Sequence, residues 1–393
     1  MPAQDLIHWT EENQPRSARW RSERGAPPPP RVVMADDTLS ADAAYRLACE
    51  GTALLWRGDF HNARQLLLAL ARRAQRLPRR KSRAASAAAA DDAPGAAFHR
   101  HRQAQSQRAR VLAQLLIELQ GDHGIALRRA PDHRQACTQA WGAGDGQPSV
   151  VSLRELLGVV SAFEWRKKGV PFAVLGPAPD NRIHPHYGVF SPVRGEYVEL
   201  VAQAPLPDGA EALAFDIGTG TGVLAALLAR RGVQRVLATD SDARALACAH
   251  DNLTRLDLSA RVQLLSADLF PGTPDELAAL VVCNPPWLPA RAGSALERAV
   301  YDEDSRMLRG FLAGLAAHLV PRGEGWLILS DLAEHLGLRT RAELLGWIAA
   351  GGLQVLGRID IRPRHPKAAD AADPLHAARA AEVTSLWRLG ALA

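Results

Sequence analysis

Phe215-Asp216-Ile217-Gly218-Thr219-Gly220-Thr221-Gly222 is the stretch on which the reading of this chain turns. An apolar run over 212–217 ends in an acid and three alternate glycines, and a helical pattern over 223–231 follows, so a strand passes through a tight loop into a helix. Glycines let backbone N–H groups approach a ligand, and the N-terminus of the next helix favours anionic groups. The dinucleotide fingerprint G-x-G-x-x-G needs glycine at 223, where this chain has Val223. Working outward, β-rich runs at 233–239, 262–267, 280–283 and 325–329 alternate with helices at 242–256, 304–319 and 342–350. That alternation predicts an α/β, mostly parallel sheet covered on both faces. Two last runs, 354–362 and 382–389, lack a helical crossover and are expected to pair antiparallel. Asp216, Asp240 and Asp268 follow the first three strands at their C-terminal ends, the edge on which open α/β sheets bind ligands. Asp240 there offers a carboxylate that can accept two hydrogen bonds from a ribose.

The fourth strand ends in Cys283-Asn284-Pro285-Pro286-Trp287. With the glycine loop and the three strand-end acids, this resembles the class I S-adenosylmethionine-dependent methyltransferases, in which Asn-Pro-Pro-aromatic marks members that methylate nitrogen. The resemblance covers about 183–393. It is greatest to the small methyltransferase-domain group, which includes release-factor glutamine N5-methyltransferases and RNA or DNA base N-methyltransferases. It implies a Rossmann-like sheet of seven strands in the order 3-2-1-4-5-7-6, with strand 7 antiparallel, and S-adenosylmethionine as cofactor. By the same resemblance Asp216, Gly218, Thr219, Gly220 and Gly222 lie along the methionine end. Asp240 binds the ribose, with Ser241 or Asp242 able to share that contact, and Asp268 with Leu269 meets the adenine. Phe190, in His184-Pro185-His186-Tyr187-Gly188-Val189-Phe190-Ser191, belongs to a segment that closes over the cofactor. The run Pro192-Val193-Arg194-Gly195-Glu196 departs from the Pro-Arg-Pro-Glu-Thr-type run usual in the glutamine enzymes.

An amide or exocyclic amine nitrogen is a poor nucleophile because its lone pair is delocalised, so it needs positioning more than deprotonation. The Asn284 side-chain oxygen, also beside the cofactor, and the Pro285 carbonyl would each accept one N–H. Pro285 and Pro286 fix the backbone that aims these acceptors, and Trp287 offers a flat face for a planar group. No metal is implied. The expected activity is N-methylation of a planar amide or amine on a macromolecule, with a slight preference for protein glutamine and RNA or DNA base (adenine N6 or guanine N2) methylation as the alternative. A small-molecule acceptor or a non-catalytic cofactor-binding protein ranks lower. The partner is thus a protein or a nucleic acid.

The remaining chain is read from composition. Its 393 residues carry 47 Lys and Arg against 42 Asp and Glu, a charge of +5, with 47% hydrophobic and 23% charged residues, which suits about two globular domains. Only Lys81, Lys167, Lys168 and Lys367 are lysines, so the basic balance is arginine and reads first as coding bias. Cys49, Cys137, Cys248 and Cys283 lie far apart and are read as reduced thiols. With no long apolar run and no signal-peptide core, a cytoplasmic location away from membranes is expected.

Residues 1–36, with Pro27 to Pro30, read as a disordered tail, and Met34 as a conceivable second start. Residues 37–182 read as a smaller, mainly helical accessory domain. It has two antiparallel helices over 40–76, a flexible loop at 77–98, a third helix at 103–119, and two short ones over 128–157. His184 and His186 read as solvent-facing loop histidines, and Asp302, Asp304 and Arg306 as groups that cap or solvate the helix after them. The cations of 362–379 read as solvated, and Trp165-Arg166-Lys167-Lys168-Gly169 is too little to assign a nucleic-acid surface.

Overall fold

In the β-rich run that opens the chain, Ile7 and Trp9 alternate with polar residues, the period-2 pattern of a strand buried on one face. The computed structural model describes residues 5–75, 95–193, 195–272, 276–364 and 370–392, and these form two units, 1–164 and 165–393.

The first unit is an α/β domain around a six-stranded sheet. Its strands are β1 (Leu6–Glu11), β2 (Gln14–Arg21), β3 (Arg31–Ala35), β4 (Thr52–Trp56), β5 (Leu115–Leu119) and β6 (Ser149–Ser152), in the order β1-β2-β6-β5-β4-β3. The expected disordered tail over 1–36 is therefore wrong: three strands lie there, and the four prolines fall between β2 and β3. The helical reading of 37–182 is corrected too. β4 separates the helices Ala41–Cys49 and Phe60–Gln75, and β5 follows the helix Ala96–Leu112. Short continuous apolar runs such as Thr52-Ala53-Leu54-Leu55-Trp56 lack any period that distinguishes a buried strand from a buried helix turn. Burial on both faces explains the run: Ala53 and Leu55 pack with Ile7, Trp9, Leu116 and Val150, and Leu54 and Trp56 pack with Leu115, Ile117, Phe60 and Leu70. Most of the loop expected at 77–98 lies outside the described residues, while Ala96 to Phe98 already belong to the helix Ala96–Leu112.

The second unit begins within the helix Leu153–Lys168 and continues into a two-stranded pair, β7 (Val170–Pro171) and β8 (Arg182–Ile183). The expected boundary at 182/183 thus falls inside one small sheet, whose Val170 and Ile183 join the core of this unit. Seven further strands follow: β9 (Leu213–Ile217), β10 (Arg235–Asp240), β11 (Val262–Ser266), β12 (Ala278–Cys283), β13 (Leu319–Ser330), β14 (Leu353–Ile361) and β15 (Thr384–Ala391). Their order is β11-β10-β9-β12-β13-β15-β14, which is the expected 3-2-1-4-5-7-6. β15 runs antiparallel to both β13 and β14, and the other pairings are parallel.

Alternation along the strands sends Ala214, Val236, Val282, Trp326 and Ile328 to one face, against the helices Glu196–Gln203 and Val223–Arg230. Phe215, Ile217, Leu237, Val281, Cys283, Leu327 and Trp387 go to the other, against Arg306–Leu315 and Arg341–Ala350. Burial on both faces is what makes these strands read as near-continuous apolar runs, and each large side chain taken from water contributes about 1.5–3 kcal/mol.

A chain begun at Met34 would lack β1, β2 and most of β3, half of the first sheet. Deleting residues 1–33 is expected to expose the first unit to limited proteolysis and to remove its share of the far-ultraviolet signal. An unchanged digestion pattern would show that these strands are dispensable.

Candidate functional site

Register alone assembles the site. Ile217 pairs with Thr239 on one side and Cys283 on the other, and Thr239 pairs with Leu265. The residues that leave the strands at this level, Gly218, Asp240 and Asn284, therefore emerge side by side at one sheet edge. β9 stands where the chain order reverses, with β10 on one side and β12 on the other, and such a switch point opens a crevice.

The loop after β9 is held by its own neighbours. Gly218 N and Thr219 N donate to the Thr239 carbonyl at 2.9 and 2.8 Å, and Gly220 N donates to Asp240 Oδ2 at 3.0 Å. Gly220 has φ +56° with open space where a Cβ would stand, and Gly222 has φ +80° with Ala249 at 3.1 Å from that position. A side chain is thus strained at both, and at 222 it would also collide with the helix Ala243–Arg255. Met307 Cε lies 2.5 Å from where a Cβ of Gly218 would be, so the helix Arg306–Leu315 covers that end of the loop.

Asp216 is 1% exposed, and its Oδ2 accepts from Thr219 Oγ1 at 2.6 Å and from Ala225 N at 3.0 Å. Its bonds brace the turn and the first turn of the helix Val223–Arg230. Burial raises its carboxyl to about 6, against the lowering by those two donors. Asp240 is half-buried, with Oδ1 accepting from Asp242 N at 2.9 Å, and burial raises its pKa as well. Ser241 is exposed, and Asp242 is committed to capping Ala243–Arg255 through Arg244 N at 2.9 Å. Asp268 stands exposed in a paired guanidinium contact with Arg306, at 3.1 and 3.2 Å, and that bond lowers its pKa. Leu269 takes a left-handed φ of +79° and its carbonyl accepts from Thr239 Oγ1. Arg306, read as a helix-capping group, serves instead as the partner of Asp268. Asp302 does cap, accepting from Met307 N and Leu308 N at 3.0 and 3.1 Å.

At the end of β12, Trp287 Nε1 donates to Asn284 Oδ1 at 3.0 Å. The indole thereby fixes the rotamer of the asparagine, a role that sequence reading did not assign to it. Pro285 is buried, whereas Asn284, Pro286 and Trp287 are half-buried.

Phe190 is half-buried in a segment anchored along Ala243–Arg255. His184 N donates to Asn252 Oδ1 at 2.7 Å, His186 Nε2 meets Asp251 Oδ2 at 3.0 Å, and Val189 packs on Ala245 and Cys248. The two histidines are thus partly buried and bonded, not solvent-facing, and burial lowers the pKa of His186. Asn252, fully buried, also donates to the Thr221 carbonyl at 3.0 Å, so one side chain ties this segment to the glycine loop. Its only signal in the sequence is a polar residue within the apolar stripe Ala245, Cys248, Ala249, Leu253.

The chain is similar to known proteins over part of its length. Residues 180–339 match the family model of the methyltransferase small domain. A release factor glutamine methyltransferase of Caulobacter vibrioides is 37% identical over 125 residues, 30% of this chain and 43% of that protein. A tRNA1(Val) (adenine(37)-N6)-methyltransferase of Serratia proteamaculans is 34% identical over 176 residues, 43% of this chain and 65% of that protein. The chain therefore spans less than two thirds of either relative. Among solved structures, the ribosomal protein L11 methylase of Lactobacillus delbrueckii subsp. bulgaricus aligns at 16% identity and a TM-score of 0.37, covering 56% of this chain and 90% of that one.

With its carboxyl raised from 3.8 to about 6, Asp216 makes the folded state bind more protons than the unfolded one between those values, so its contribution to stability falls as pH rises through that window. Asp216→Asn retains an acceptor for Thr219 and Ala225 without the charge. Thermal unfolding of the free protein is expected to show this variant at or above the parent at pH 7–8, with the gap closing towards pH 4. A gap that widens on acidification would reverse the assignment.

Proposed function

We propose that this chain, a class I S-adenosylmethionine-dependent methyltransferase by its small methyltransferase domain, transfers the methyl group to a planar amide or amine NH₂ of a macromolecule. The observation that carries the reading is the Asn284 oxygen held by Trp287 at the switch point of the sheet, with the Pro285 carbonyl beside it in the chain. The residues present suit the cofactor. The loop at Gly218–Gly222 leaves an uncovered backbone at Gly220, and a half-buried carboxylate, Asp240, closes the next strand. Gly218, Thr219, Gly220 and Gly222 would hold the methionine end, with Asp216 bracing them. Asp240 would take the ribose hydroxyls and Leu269 the adenine, with Asp268 at its rim and Phe190 as a wall. When bound, S-adenosylmethionine supplies an electrophilic methyl on a sulphonium.

The acceptor nitrogen has little basicity, and Asn284 does not need to remove a proton before transfer. Two acceptors on one rigid turn orient both N–H bonds of the group, leave its lone pair aimed in one direction, and stabilise positive charge as it develops. The Trp287 indole occupies one lone pair of Asn284 Oδ1 and leaves the other for the acceptor, so positioning is settled before substrate arrives. Glutamine amides and adenine amino groups, the acceptors in the names of the two relatives, are both planar NH₂ groups.

Asn284→Ala is expected to lower kcat by about 10²-fold or more while calorimetry shows cofactor affinity nearly unchanged. Equal loss of both would remove the acceptor role from Asn284. Transfer of labelled methyl into an extract of a strain lacking the gene, followed by separate protease and nuclease digestion, identifies the class of acceptor.

A further inference from the structure

The charge of this chain is unevenly shared. Residues 1–164 hold 23 Lys and Arg against 17 Asp and Glu, whereas residues 165–393 hold 24 against 25. Within the first unit, the helices Phe60–Gln75 and Ala96–Leu112, of 16 and 17 residues, pack on one another. They contain Arg64, Arg72, Arg73, Arg100, Arg102, Arg108 and Arg110, the histidines His61, His99 and His101, and no Asp or Glu. At the frequency of acids in the whole chain, 42 in 393, about three or four would be expected in this length. Surface helices whose charge serves only solubility mix the two signs, because opposite charges one turn apart stabilise a helix and like charges destabilise it.

The apolar stripes of the pair face inward, with Phe60, Leu66, Leu67, Leu70, Phe98 and Leu112 buried. Arg64, Arg72, Arg100 and Arg110 stand exposed on the outer faces, and Arg73 is joined to Asp42 at 2.8 Å. A protein partner would call for aromatic or apolar anchors. Among the described residues of these two helices, the exposed large apolar side chain is Leu68, and both phenylalanines are inside.

We propose that this acid-free helix pair is a docking surface for the sugar–phosphate backbone of a nucleic acid. Guanidinium forks match phosphate oxygens in pairs. A helix of 17 residues is about 25 Å long, a distance over which a duplex presents roughly 15 phosphate charges. The inference gives the macromolecular acceptor of the preceding section a chemical class, and to that extent rests on it.

The test uses the full chain without cofactor, so that binding is read apart from methyl transfer. Probes of about 20 nucleotides, an RNA hairpin, single-stranded RNA and duplex DNA, are titrated by fluorescence anisotropy across a salt series, with polyglutamate as the acidic polypeptide. Parent protein is expected to bind at least one nucleic acid well above polyglutamate, with affinity falling steeply with salt. Combined Arg64→Gln, Arg72→Gln and Arg110→Gln should raise Kd at least about tenfold and reduce the log–log salt slope by about 2 to 3. Cofactor affinity and the unfolding temperature should be unchanged. No binding by the parent at about 50 mM salt, an unaltered slope in the variant, or equal binding of polyglutamate would each overturn the proposal. Parent protein that binds a nucleic acid in this assay yet labels none in the methyl-transfer assay of the preceding section would count against the catalytic reading alone.

Discussion

A carboxylate buried at the base of a loop is the interaction on which the second unit depends. Asp216 receives a hydroxyl and a backbone N–H through one oxygen, and so joins the end of β9 to the turn and the turn to its helix. Burial makes the ionised form costly, as its raised pKa records, yet the position is the crossover of the sheet, where the backbone must leave a space open. Stability is sacrificed there for a preformed shape, a common trade at functional sites.

Everything else at the edge is hung from that turn by polar bonds between neighbours in space. The Thr239 carbonyl and the Asp240 carboxylate hold the glycine backbone from β10, Asn252 ties the turn to the segment bearing Phe190, and Met307 covers Gly218 from the opposite side. Asn284 and Trp287 add a second rigid element across β9. Both elements are set before any ligand arrives, which is the condition under which hydrogen bonds lower a barrier instead of merely binding.

The first unit follows a different economy. The central strands β4, β5 and β6 of its sheet are buried on both faces, while two of its helices turn a single sign of charge outward. Chain-wide, that excess is masked by the near-neutral second unit, which is why a net +5 carried so little information.

From the sequence alone came the strands of the second sheet, the glycine loop and the Asn-Pro-Pro-Trp turn, because those features are local, whereas the strand order was implied by the family resemblance. Glycines at 218, 220 and 222, an acid near the C-terminal end of each of three strands, and helices with clear periodicity each announce themselves within a few residues. Only the tertiary structure decided the rest. β4, β5 and β6 are short and buried on both faces, with no period to read, and β1 to β3 lie in a stretch so polar and proline-rich that it resembles a tail. Likewise Asp268 and Arg306 find one another, as do Trp287 and Asn284, and the His184 backbone and Asn252, only once the fold has brought them together. Hydrogen-bond partners are chosen by proximity in space, and a single sequence records proximity only along the chain.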